Sequence, residues 1–198
     1  TAMGKYTDAI GNYSTAFGHY TTASGDNSVA IGNETTASDY NSLVLGQWNL
    51  AGSTTTNSPT EFSIDNTAFV IGNGINWLNR SDALVVKFNG DATLAGNLNI
   101  NSDARLKANI VSLGSTLSKL LQIDGKSYTM KKDESEKQKI GLLAQDIEKV
   151  FPELVSESHG VKSVNYQGLV PVLINALKEQ QNEIDILKQQ QSDIDELK

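Results

Sequence analysis

The chain has 198 residues, 38% of them apolar, no cysteine and a net charge of −7, a length that suits one or two domains. Without cysteine there is no disulfide framework or thiolate metal site, and His19 and His159 have no partner at ligand spacing, so neither a metal nor a cofactor is expected. Residues 1–101 hold three basic against eight acidic residues, which leaves no basic stripe for a phosphate backbone, and no apolar run reaches the ~18 residues of a membrane span, so neither nucleic-acid binding nor membrane insertion is expected.

Residues 1–46 repeat every seven. Gly4, Gly11, Gly18, Gly25, Gly32 and Gly46 fall in one register, with Asp39 at the one missing position. Two residues before each stands Ala2, Ala9, Ala16, Ala23, Ala30, Ala37 or Val44, and four before stands Thr7, Ser14, Thr21, Ser28, Thr35 or Ser42. A helical heptad needs large apolar residues at two positions and rejects a glycine in each repeat. An extended reading fits: Ser/Thr, Ala and Gly alternate on one face of a short strand, and the residue between Ala and Gly faces outward. Glycine is expected to permit the turn into the next strand. Two sevens then make one coil of fourteen, and coils stack into a solenoid that cannot bury a core singly. A flexible linker would not hold register through six units. Thr1 stands at the second position of a unit, which suggests a piece of a longer array.

Units such as Ser28-Val29-Ala30-Ile31-Gly32-Asn33 resemble the head repeats of trimeric autotransporter adhesins. The resemblance implies a left-handed β-roll in each chain and three rolls side by side. It implies no catalytic residue.

Residues 47–101 read as a β-rich connector. Asn57 to Thr60 reads as a loop, Ala68 to Ile71 and Ala83 to Phe88 as short strands, and Gly72-Asn73-Gly74 and Asn89-Gly90-Asp91 as turns. Thr93 to Ile100 continues in the same style. So little private core suggests intertwined strands shared between chains.

From residue 102 the texture changes, with 13 of the 16 Lys and Arg beyond this point. Ser115 to Gln122 has helical spacing, Lys126 to Lys131 alternates like a strand, and Lys132 to Lys139 is a charged loop. Ile140 to Leu143 reads as a buried strand, Asp146 to Phe151 as a short helix stopped by Pro152, and Val161 to Val164 as a last strand. Residues 102–166 thus form a small α+β domain.

Residues 167–198 form a long helix. Val170, Leu177, Ile184 and Gln191 make one seven-spaced series, and Leu173, Gln180, Leu187 and Ile194 the other, offset by three. That is a coiled-coil seam, with two glutamines weakening it. The alternative is an amphipathic helix packed on its own domain.

The chemistry centres on Ser102-Asp103-Ala104-Arg105-Leu106-Lys107. A serine nucleophile needs a base, and a lysine amine can be one. Residues five apart do not share a face of a regular helix or strand. Ser102 and Lys107 therefore meet only across a bend, or between neighbouring chains.

This hexapeptide with Ala108-Asn109-Ile110, then Ile140 to Val155, then Ser163 to Pro171, resembles the intramolecular chaperone domain of phage tail spikes and fibres, the S74 peptidase or endosialidase-type family. The resemblance implies a trimerising domain that registers and folds the β-fibre ahead of it and releases itself by autoproteolysis. Carried over, Ser102 and Lys107 are the catalytic dyad, Asp103 and Arg105 support the motif, and the cut falls between Asn101 and Ser102. The expected protein is the C-terminal end of a homotrimeric virion tail fibre or cell-surface fibre that meets a host receptor or glycan. The alternatives are a glycan-degrading tail spike, whose paired carboxylates are not evident, and a membrane-tethered regulator, whose basic DNA-binding domain is not evident.

Overall fold

A computed structural model describes residues 1–50, 52, 55–131 and 136–197. Contacts divide the chain into two units, Thr1–Asn101 and Ser102–Lys198.

Small side chains set the architecture of the first unit. Strands β1 (Ala2–Lys5), β3 (Thr15–His19), β5 (Val29–Asn33) and β7 (Leu43–Gln47) stack in parallel as one sheet. The two-residue strands β2 (Asp8–Ala9), β4 (Thr22–Ala23) and β6 (Thr36–Ala37) stack as another. The offset is one coil of fourteen: Ala16 pairs with Ala2 and Ala30, and Ala23 with Ala9 and Ala37. The interior is a file of buried Ala16, Ala23, Ala30, Ala37 and Val44, flanked by buried Ser14, Thr21, Ser28, Thr35 and Ser42. Methyl and hydroxyl groups leave the sheets free to lie close together, and larger ones would force them apart. Three of the hydroxyls turn inward to backbone, Ser14 to Gly11 O, Ser28 to Ala37 O and Ser42 to Asp39 O.

The residue in the left-handed helical region of each turn is not the glycine. The left-handed turn residue is the one two places later: Tyr6, Tyr13, Tyr20, Asn27, Glu34, Asn41 and Trp48 all have φ between 47° and 59°. Glycine is required by the stacking, and at Gly4, Gly18, Gly32 and Gly46 also by a φ between 103° and 136°. A Cβ on Gly25, whose φ is ordinary, would sit 2.2 Å from the Asp39 carbonyl oxygen in the next coil.

Asp39, the break in the glycine register, is fully buried and ties down the following chain. Its carboxylate accepts the Thr56 N–H at 2.5 Å, the Thr67 N–H at 2.7 Å and the Thr67 hydroxyl at 2.5 Å. Asn49 finishes the small sheet: its carboxamide oxygen accepts the Thr36 N–H at 2.8 Å and its NH2 donates to Thr36 O at 3.0 Å, in place of a next strand.

The expected connector strands are present, and their ladders run within the chain. β8 (Thr67–Asn73) is the next rung of the roll, pairing in parallel with β7 so that Val70 follows Val44. β9 (Asp82–Lys87) and β10 (Ala92–Leu94) then add antiparallel. These three strands complete one seven-stranded sheet within the chain.

The second unit holds α1 (Leu117–Leu120), the hairpin β11 (Lys126–Tyr128) and β12 (Lys139–Gly141), α2 (Ala144–Val150), the hairpin β13 (Val155–Ser158) and β14 (Val161–Val164), and α3 (Leu169–Glu196). Residues 132–135 of the charged loop, and Lys198, lie outside the described residues. Ile147, Phe151 and Val172 form the core, with Leu120, Leu142, Leu154 and Val164 packed on it. Pro152, lacking an N–H, follows the end of α2 and opens a 3-10 turn, Pro152–Leu154. Ile140, expected to be buried, is 87% exposed; the strand ends at Gly141, and it is Leu142, just past that end, that packs on the core. β13 went unread because Val-Ser-Glu-Ser carries one apolar residue.

Candidate functional site

Ser102 and Lys107 are brought together within one chain. Leu106 N–H donates to Asp103 O and Lys107 N–H to Ala104 O, both at 3.1 Å, which folds a 3-10 turn over Ala104–Leu106. Lys107 Nζ then lies 2.7 Å from Ser102 Oγ. Of the two routes left open by the spacing, a bend or a neighbouring chain, the bend suffices for this contact.

Asp103 caps that turn. Its Oδ1 accepts the Arg105 backbone N–H at 2.9 Å and Nε at 3.0 Å, and its Oδ2 accepts Nη2 at 2.6 Å. The Arg105 side chain, and after it the Arg105 N–H, holds the Asp103 carboxyl below the usual carboxylate range. Asp103 in turn raises the guanidinium above its ordinary value. Every residue from Asn101 to Ser115 is exposed, so no packing shapes this segment.

The seam residues line one face of α3. Val170, Leu173, Leu177, Ile184, Leu187 and Ile194 are all exposed. A different face, Leu169, Val172 and Ala176, is the buried one. Only the first turns of α3 therefore pack on their own unit, and the seam runs free along the helix.

Glu179 was not anticipated. It stands three residues beyond Ala176 on the buried face, and its carboxylate accepts the Ser115 hydroxyl at 2.6 Å and the Thr116 N–H at 2.5 Å. The long helix thus supplies the N-terminal cap of α1, where a side chain of α1's own segment would usually serve. Thr116 itself turns away and donates its hydroxyl to Val172 O at 2.8 Å. A lone Glu in a Glu/Gln/Lys-rich helix gives no sequence signal of such a role.

The first unit carries a further unpartnered face. Met3, Phe17, Ile31, Leu45, Ile71 and Leu84 pair strand by strand in a single row. Their neighbours Ala16, Ala30, Val44 and Val70 point inward, so this row points out.

Comparison with known proteins matches both halves. Residues 102–156 match the family model described as chaperone of endosialidase, and residues 9–35 and 23–47 match two copies of the YadA head domain repeat. The first match begins at Ser102, where the two contact units also divide. The chain thus joins a segment similar to YadA head repeats to one similar to the chaperone of endosialidase. It is 30% identical over 109 residues to the long tail fiber protein Gp37 of Salmonella phage S16, covering 50% of this chain and 15% of that protein. It is 32% identical over 105 residues to the long tail fiber protein Gp37 of Escherichia phage AR1, covering 48% of this chain and 10% of that protein. The chain therefore spans a minor part of the length of either relative.

Proposed function

We propose that this chain is the part of a homotrimeric phage tail fibre in which the fibre meets its chaperone. Residues 102–198 assemble first, set the register of the β-roll, and are then released by a cut between Asn101 and Ser102. The fibre portion belongs to the virion's attachment apparatus and faces a host-cell receptor or glycan. The observation that carries this reading is the Ser102–Lys107 contact at the junction of the two units.

The order of events has a physical basis. A solenoid of seven-residue repeats offers many equivalent pairings, so a slip of one unit between chains costs little by itself. Chains tied together at one end meet at high effective concentration and in one register. The exposed seam of α3 and the outward apolar row of the β-roll both support association of three copies.

In the proposed cut, Ser102 Oγ attacks the Asn101 carbonyl carbon. The Oγ proton passes to the free amine of Lys107, the C–N bond breaks, and Lys107 passes that proton to the departing α-amine of Ser102. The resulting ester between Asn101 and Ser102 Oγ is hydrolysed by water. This leaves the Asn101 carboxylate and a new N-terminus at Ser102, with the serine hydroxyl restored. The chain is both substrate and catalyst, and it turns over once.

Light scattering of the purified protein tests the assembly. The expected mass is about three times the 21.3 kDa chain. A monodisperse monomer at micromolar concentration would contradict it.

A further inference from the structure

We infer that Asp103 and Arg105 are positioning residues for the dyad: the Asp103 carboxylate, through its hold on the Arg105 backbone and guanidinium, folds the turn that carries Lys107 Nζ to Ser102 Oγ. The inference rests on the cleavage reading above.

Fully extended, five residues span about 17 Å, well beyond the reach of a lysine side chain. The chain must fold back for Nζ to reach Oγ at 2.7 Å. The turn buries no residue, so packing is not what folds it. Apart from its two backbone hydrogen bonds, what holds the turn is the Asp103 side chain. Oδ1 takes the Arg105 N–H and Nε, and Oδ2 takes Nε at 3.1 Å and Nη2 at 2.6 Å.

The residue types fit this task. Capping the turn uses one acceptor, and locking the carboxylate in its capping rotamer uses the other. Asparagine has only one acceptor oxygen. The planar guanidinium fork meets both oxygens at once, which a lysine does not. The fork has a second consequence. Asp103 adjoins Ser102, and a free carboxylate there is a competitor for the Lys107 amine. With both oxygens turned to Arg105, that competitor is occupied and Nζ is left to the serine.

The absence of cysteine makes a direct test possible. Ser102→Cys puts a single thiol where the hydroxyl stands, and an ammonium beside it lowers the thiol's titration midpoint below about 8.5. The pH dependence of alkylation by iodoacetamide, read as label on the intact chain by mass spectrometry, reports that midpoint. In Ser102→Cys the midpoint should be low, and adding Lys107→Ala should return it upward. Adding Asp103→Ala or Arg105→Ala should also raise it, and Asp103→Asn should fall between. Removing the Asp103 anion alone would lower the midpoint, so the rise in Asp103→Ala identifies the lost ammonium, whereas loss of the Arg105 cation raises the midpoint by itself.

In the Ser102 chain, Asp103→Ala should slow cleavage about tenfold, the size of a lost cap. The double variant with Arg105→Ala should be no slower than Asp103→Ala alone, because both remove one clamp. Trimer mass should be unchanged throughout. The inference is overturned if Lys107→Ala raises the thiol midpoint while Asp103→Ala and Arg105→Ala do not. If Lys107→Ala itself leaves the midpoint unmoved, Lys107 is not beside residue 102 and the cleavage reading falls with it.

Discussion

The Glu179 carboxylate on α3 accepts the Thr116 N–H at 2.5 Å and the Ser115 hydroxyl at 2.6 Å, so the long helix holds the start of α1 from across the unit. The Ser115 hydroxyl first, then the Thr116 N–H, lowers the Glu179 pKa below its ordinary value, against a smaller opposing effect of burial. A depressed carboxyl contributes stability that is complete above its unfolded value, about 4.3, and is lost as pH falls through the folded value. The Thr116 and Leu117 amides should keep their hydrogen-exchange protection at pH 5 and lose it at a pH below the usual glutamate range. In Glu179→Gln the protection should be weaker and independent of pH across that window. Protection in the wild type that fades at or above the ordinary glutamate value would contradict the clasp.

The stacking glycines should be intolerant of a single methyl. A Cβ on Gly18, at φ +136°, would lie 1.9 Å from the Gly32 carbonyl oxygen. Gly18→Ala should destabilise the roll by about 3 kcal/mol or more, since both a strained φ and a backbone clash are forced. Gly96→Ala in the same unit meets nothing within 4 Å and should stay within about 0.5 kcal/mol. Thermal unfolding of the two variants checks this, and equal melting temperatures would refute it.

Asp39 should not be replaceable by the glycine that the repeat calls for. Asp39→Gly restores the sequence register but leaves the Thr56 and Thr67 N–H groups without their acceptor. The expected loss is about 2–4 kcal/mol, the cost of buried donors left unmade. Stability at or above the wild type would show that the position is merely a tolerated irregularity.

These residues also mark where the sequence was legible. Period seven in Gly and Ala gave the stacked coils, because only small side chains fit inside and close approach demands glycine. It did not reveal that the left-handed position belongs to Tyr6, Tyr13 and Tyr20, since tyrosine is no usual mark of φ > 0. The exposed apolar row of α3 was legible from its spacing, and Leu169, Val172 and Ala176 were not assigned to the packed face, because the apolar residues of this helix lie on two faces. Ser102 and Lys107 were named by resemblance. Their spacing alone pointed away from a contact, and the turn that makes one rests on the side chain between them.

The seam should govern assembly. Ile184 and Leu187 are exposed in the single chain, so replacing them disturbs no packing within the unit. Ile184→Asp with Leu187→Asp should abolish most of the trimer, while Lys188→Asp should leave it nearly intact. Sedimentation of the two variants at equal concentration measures this. Equal trimer fractions would remove α3 from the assembly.

Intact-mass analysis over time of the freshly purified chain tests the release step most directly. The wild type should yield the 97-residue fragment 102–198 beginning at Ser102, faster as pH rises because the attack consumes a free amine. Ser102→Ala and Lys107→Ala should each stay at 198 residues and still trimerise. Lys107→Arg should behave the same, since a guanidinium does not give up its proton. Cleavage that persists in Lys107→Ala, or a fragment that begins at any residue other than Ser102, would contradict the assignment of this dyad.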